Sequence, residues 1–135
     1  YPTVGYPQDL AISDADGDGK PDVVVSDDGL GLYRNTGTGL QGRVSSSFTG
    51  WAFRMKDLNG DRLTDAIVAA QSGVLVALQT AGGRFPAPVL YPSGMARSLA
   101  VGDLDGDGRP DVLTPNTYGT SSSGEDISRL TAQCR

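Results

Sequence analysis

The stretch Asp14-Ala15-Asp16-Gly17-Asp18-Gly19-Lys20-Pro21-Asp22 places aspartates at positions 1, 3, 5 and 9 of nine residues, with glycine at positions 4 and 6. It returns as Asp57-Leu58-Asn59-Gly60-Asp61-Arg62-Leu63-Thr64-Asp65 and as Asp103-Leu104-Asp105-Gly106-Asp107-Gly108-Arg109-Pro110-Asp111, at offsets of 43 and 46 residues. Self-similarity at such a period marks a chain built from repeated supersecondary units.

The flanks repeat with the loops. Apolar residues stand four and two places before each first aspartate: Leu10 and Ile12, Phe53 and Met55, Leu99 and Val101. Spacing by two is strand spacing, and it predicts one buried face. After each loop comes a run rich in β-branched residues, Asp22-Val23-Val24-Val25, Asp65-Ala66-Ile67-Val68 and Asp111-Val112-Leu113-Thr114, which suits a pleated surface. Each loop therefore joins two strands. A third strand is expected at Gly31 to Arg34, at Gly73 to Leu78 and at Asp126 to Leu130. A fourth is expected at Gln41 to Ser47 and at Phe85 to Tyr91, where Pro86 and Pro88 argue for an edge. Four short antiparallel strands per repeat describe a β-propeller blade. The expectation is an all-β chain forming a single repeat domain over residues 1–135, with blades at about 1–42, 43–84 and 85–135, belonging to a larger or oligomeric propeller. Thr120 to Gly124 reads as a polar connection.

The loop chemistry points to a hard cation. Calcium takes six to eight oxygen ligands at roughly 2.3–2.6 Å, and a tight loop with acids at alternate positions brings them to one point. The predicted ligands are Asp14, Asp16, Asp18 and Asp22; Asp57, Asn59, Asp61 and Asp65; Asp103, Asp105, Asp107 and Asp111. Position 7 would add a backbone carbonyl from Lys20, Leu63 and Arg109, whose side chains should point away. Three calcium ions per chain are expected. The helical version of such a loop needs a glutamate at position 12, where this chain has Val25, Val68 and Thr114 and runs on as strand, so neither an EF-hand switch nor a dockerin arrangement is expected. Without a cation the crowded carboxylates should repel one another and titrate at raised pKa values. Calcium is therefore expected to stabilise each strand-loop-strand hairpin rather than to signal.

Composition bounds the alternatives. One domain fits in 135 residues, and no apolar run is long enough to span a membrane. The chain contains no histidine, which removes Ser-His-Asp and Cys-His catalysis and histidine-ligated zinc. Cys134 stands alone, so no disulfide forms within the chain; it is either a free thiol or pairs with a missing segment or another chain. The chain opens at Tyr1 with neither a methionine nor a signal-like segment, which reads as a processed or excised start. Eleven of its sixteen acids lie in the three loops, so divalent ions would all but neutralise the formal net charge of −5. The acidity is local chemistry, and no nucleic-acid partner is expected.

At these residues the chain resembles the FG-GAP/VCBS repeat family, the integrin-like propeller blades that carry D-x-D-G-D-G-x-x-D between their first two strands. The likeness extends to Gly83-Arg84-Phe85-Pro86-Ala87-Pro88, similar to the family's G-x-F lead-in, and to Leu90-Tyr91-Pro92 ahead of the third repeat. The second loop departs, with Asn59 for an acid and Arg62 for the second glycine, and its site should bind more weakly. The resemblance implies a secreted or cell-surface protein (extracellular or periplasmic) that serves in adhesion, as a lectin, or as an accessory domain. Family propellers as a rule carry seven blades and three cannot close a ring, so further blades should come from the same longer protein or from a homo-oligomer.

Three functions fit. The first is a calcium-stabilised binding or adhesion module that recognises a carbohydrate or protein through its loops. The second is a non-catalytic accessory domain of a secreted polysaccharide-acting enzyme. The third is an assembly scaffold. Catalysis by the chain itself is not expected, because only Asp9, Asp27, Asp28, Glu125 and Asp126 lie outside the loops and nothing pairs them across a cleft. Trp51 and Tyr118 are candidate sugar-stacking aromatics, although Trp51 equally suits packing between blades.

Overall fold

In the computed structural model, which describes residues 1–117 and 125–130, each nine-residue loop joins the first two strands of an antiparallel sheet. The first sheet comprises β1 (Asp9–Ser13), β2 (Asp22–Ser26), β3 (Leu30–Asn35) and β4 (Leu40–Ser45) in that spatial order. The second repeats the order with β5 (Ala52–Lys56), β6 (Asp65–Ala70), β7 (Gly73–Ala77) and β8 (Val89–Pro92). The third has three strands among the described residues, with β10 (Asp111–Thr117) between β9 (Ala100–Gly102) and β11 (Glu125–Leu130). These are blade-like sheets, and the chain is all-β as expected. Among the described residues no helix is long and apolar enough to cross a membrane. Pro86 and Pro88 fall in the connection before β8, since proline has no N–H for the ladder. Tyr118, the Thr120 to Gly124 connection and Cys134 lie outside the described residues.

Register makes the repeats superimposable. Val24 faces Leu32 across β2 and β3 as Ile67 faces Val76 and Leu113 faces Arg129; Ser26 faces Leu30 as Ala69 faces Val74 and Pro115 faces Ile127. Cross-strand partners share a face of the sheet, so equivalent positions in each repeat point toward the same side, either the preceding or the following sheet.

Two cores fill the spaces between the sheets. Val24, Leu30 and Leu32 of the first sheet meet Phe53, Ala66, Val68 and Ala77 of the second; Ile67, Ala69 and Val74 on its other side meet Leu99 and Val112 of the third. The second sheet is thus covered on both faces, which is why β6 reads as a continuous apolar run rather than an alternating one. Phe53 lies fully buried between sheets, where truncation to alanine costs on the order of 3–5 kcal/mol.

The outermost faces behave differently. Leu10 and Ile12, the counterparts of buried Phe53 and partly buried Met55, are 64% and 70% exposed, contrary to the expectation that they face a core. Among the described residues no sheet covers them, and the residue of β1 that turns toward the second sheet is Ala11. Ile127, the counterpart of buried Leu30 and Val74, is 74% exposed. Position 2 of the loops follows the same rule: Ala15 is buried beneath the second sheet, Leu58 is half-buried against the third, and Leu104 is 58% exposed. The segment ahead of β1 covers part of the first outer face: Tyr33 Oη donates to the Pro2 carbonyl at 2.6 Å and the Val4 N–H donates to Asp27 Oδ2 at 3.0 Å. Asp27 also pairs with Arg43.

Candidate metal centres

The loops are folded by their own carboxylates. Asp14 Oδ1 accepts from the Gly17 N–H at 2.8 Å and Oδ2 accepts from the Gly19 N–H at 2.9 Å. Asp57 accepts from Gly60 and Arg62, and Asp103 from Gly106 and Gly108, at 2.7 and 2.8 Å in each case. The acids at position 5 hold the position 7 amide: Asp18 that of Lys20, Asp61 that of Leu63 and Asp107 that of Arg109, each at 2.8 Å. Position 3 does the same two residues on, through Asp16, Asn59 and Asp105. Amide dipoles turned onto carboxylates stabilise the charged form and curl the chain around it. Glycine at positions 4 and 6 supplies the left-handed conformation this curl needs; in the second loop Arg62 adopts it with φ 72°, the one non-glycine residue at positive φ among those described.

The ninth residue does something else. Asp22, Asp65 and Asp111 are buried, and their Oδ2 atoms accept from the N–H groups of Ala15, Leu58 and Leu104 at position 2, at 2.8–3.0 Å. In the first two repeats Oδ1 accepts from the amide at the end of the third strand, Asn35 at 2.7 Å and Gln79 at 2.8 Å. Each of these aspartates clamps its loop to the sheet.

Several of these carboxylates also converge on one point. Carboxylate oxygens of Asp14, Asp16 and Asp18 lie within 4.8 Å of one another, as do those of Asp103, Asp105 and Asp111. A cation with oxygen ligands at about 2.3–2.6 Å accepts donors up to about 5 Å apart, so both acid groups fit a calcium ion. The second loop, with Asn59, forms no such group of three acids among the described residues. Calcium at these points would supply charge neutralisation and a cross-link within each loop.

The electrostatics depart from simple repulsion. Burial pushes the Asp65 carboxyl up from its ordinary value; the amides of Leu58 and Gln79 oppose this, while Asp61 and Asp57 reinforce it. Asp18 and Asp105 are instead held below the ordinary value, by hydrogen bonds from Lys20 and Arg129 respectively. Cationic side chains of the chain itself take the role expected of the ion. The Lys20 side chain accordingly does not point away, as position 7 predicted: Nζ lies 2.5 Å from Asp18 Oδ2. Arg34 approaches Asp16 at 3.3 Å, and Leu63 leans toward Gly17 of the neighbouring loop. Arg109 forms no ion pair among the described residues.

Other candidates are engaged in holding sheets together. Asp9 Oδ2 accepts from the Phe53 N–H and pairs with Arg54, both at 3.2 Å, joining the first sheet to the second. Trp51 is half-buried at the end of β5 away from the loop, with the Arg97 guanidinium 5.1 Å from its ring centroid, so one ring face is occupied. A cavity of about 240 Å³ between β3, β4 and the Gly83-Arg84-Phe85 turn is lined mostly by apolar side chains and no carboxylate. Two residues that carry the site were not singled out from sequence, Gln79 and Arg129. An arginine standing where the other repeats have Leu32 and Val76 was the available signal for the second.

No curated protein matches the chain. Residues 57–114, from the first aspartate of the second loop into β10, match the family model of the FG-GAP-like repeat; that stretch, a little under half of the chain, is an FG-GAP-like repeat, as the loop motifs implied.

Proposed function

We propose that the chain is a calcium-stabilised extracellular module of a β-propeller, non-catalytic, which presents its loops to a carbohydrate or protein partner. The observation that carries this reading is the pair of carboxylate groups, Asp14-Asp16-Asp18 and Asp103-Asp105-Asp111, each held open by backbone amides and each sized for a hard divalent cation. Asp22 and Asp107 complete the respective loops, and Asp57, Asn59, Asp61 and Asp65 form a weaker second site. Extracellular calcium is abundant enough to fill loops of modest affinity. Ion binding to the folded state alone stabilises it by linkage.

The terminal faces support neighbouring blades as the assembly partners. Leu10 and Ile12 at one end, and Leu104 and Ile127 at the other, are exposed where their repeat counterparts are covered by an adjacent sheet. A further sheet of the same repeat is the surface that fits them, whether it comes from the same protein or from another copy.

Calorimetric titration with calcium, alongside melting in calcium and in chelator, tests the reading. Uptake with a melting temperature raised by several degrees is expected. A flat titration with identical melting curves would overturn it.

A further inference from the structure

Arg129 lies on β11 opposite Leu113, at the register position held by Leu32 and Val76 in the other two sheets. Rather than extending from the outer face, its guanidinium turns into the third loop. One nitrogen, Nη2, is 2.5 Å from Asp105 Oδ2 and 2.8 Å from Asp111 Oδ2. These are the lengths of charge-assisted hydrogen bonds. Asp105 and Asp111 are two of the three acids whose oxygens converge in this loop, so a cationic nitrogen engages the same carboxylates that would hold an ion.

The other loops lack this arrangement. In the first, Lys20 reaches only Asp18 and Arg34 only Asp16, and Asp22 keeps its amide partners alone. In the second, no ion pair touches Asp57, Asp61 or Asp65 among the described residues. Among the described residues, only in the third loop does one side chain bridge position 3 to the buried position 9.

We propose that Arg129 is a resident cation of the third loop, neutralising Asp105 and Asp111 in the metal-free protein and withdrawing before a divalent ion takes those oxygens. The inference rests on the calcium reading above and deepens it, because it makes the first and third loops unequal despite nearly identical sequences. A site that is competent only when a competing group has left binds with an apparent affinity reduced by the fraction of time it is free.

The test is a calcium titration of the full chain followed by amide NMR, with Gly17 and Gly19 reporting the first loop and Gly106 and Gly108 the third. In the wild type the third loop should fill at higher calcium than the first. Arg129→Met should tighten the third loop by about tenfold, the gain from freeing a site engaged about 90% of the time, and leave the first within about twofold. A third loop that Arg129→Met leaves unchanged or weakens overturns the proposal. The wild type gives a second readout that needs no variant: the Arg129 guanidinium protons, slowed by the ion pair in chelator, should exchange faster as the third loop fills. Unchanged Arg129 signals with calcium bound there also overturn it. If the first loop takes up no calcium, the functional reading itself fails; if the first loop binds while the third is insensitive to Arg129, only this inference fails.

Discussion

The side-chain amide of Gln79 donates to the carbonyl of Ala15, and through that bond the second sheet holds the first acidic loop. The same carboxamide accepts from the Thr64 N–H in the second loop at 3.0 Å. Gln79 is buried, so both bonds are shielded from water and their loss strands two backbone groups. Gln79→Ala should cost about 2 kcal/mol, within the usual range for leaving buried groups unpaired. Urea unfolding in chelator measures it. A cost no larger than that of exposed Gln8→Ala would show that the bridge contributes little.

Asp65 and Asp61 sit in one loop with different duties. Asp65 satisfies the N–H groups of Leu58 and Gln79 from a buried position, whereas Asp61 is exposed. Asp65→Ala should lose on the order of 3 kcal/mol even in chelator, because one buried and one part-buried amide lose their acceptor. Asp61→Ala should lose much less in chelator and show its main effect as a smaller gain on adding calcium. Equal losses for the two variants in chelator would contradict this division.

Arg62 occupies the left-handed position that Gly19 and Gly108 fill in the other loops. A side chain in that conformation costs about 1–2 kcal/mol, partly offset by the extra freedom glycine has in the unfolded chain. Arg62→Gly should stabilise the protein by about 0.5–1 kcal/mol, read as an upward shift in the urea midpoint with an unchanged slope. A downward shift would mean that the arginine side chain makes contacts worth more than the strain.

The raised pKa of Asp65 fixes the sign of one pH effect. A carboxyl whose folded pKa lies above its unfolded value binds more protons when folded, so its contribution to stability falls as pH rises from the ordinary 3.8 through the raised value. In calcium the preference reverses, because the ion requires the carboxylate. Carbon-13 NMR of the Asp65 carboxyl should give a midpoint above 3.8 in chelator and a lower one in calcium. Asp18 and Asp105, with lowered values, contribute stability that is present above the ordinary value and lost as pH falls through theirs.

Much of the architecture was legible in the spacing. Each acidic loop lies between strands because apolar residues alternate before it and β-branched residues run after it, and the three sheets fall where those patterns fall. The fourth strands were displaced by a few residues, to Leu40–Ser45 and Val89–Pro92, since strand ends depend on ladder partners that composition does not reveal. The burial of Leu10 and Ile12 was misread for a related reason. Alternation identifies a face, but only the neighbouring sheet decides whether that face is covered.

The sequence by itself determined the loop chemistry and the all-β class, because each depends on residues within about ten positions of one another, and it determined the repeat, because the same local pattern returns at a fixed offset. Which carboxylates are also engaged from outside their own loop was decided by tertiary structure. Asp22 and Asp65 are clamped by amides from the third strands of their own sheets, and Asp105 and Asp111 are bridged by Arg129 from β11. A carboxylate's role is set by the donors that reach it, and those from outside its own loop arrive from 13 to 24 residues away along the chain. That is why three loops so alike in sequence are not equivalent in the folded protein.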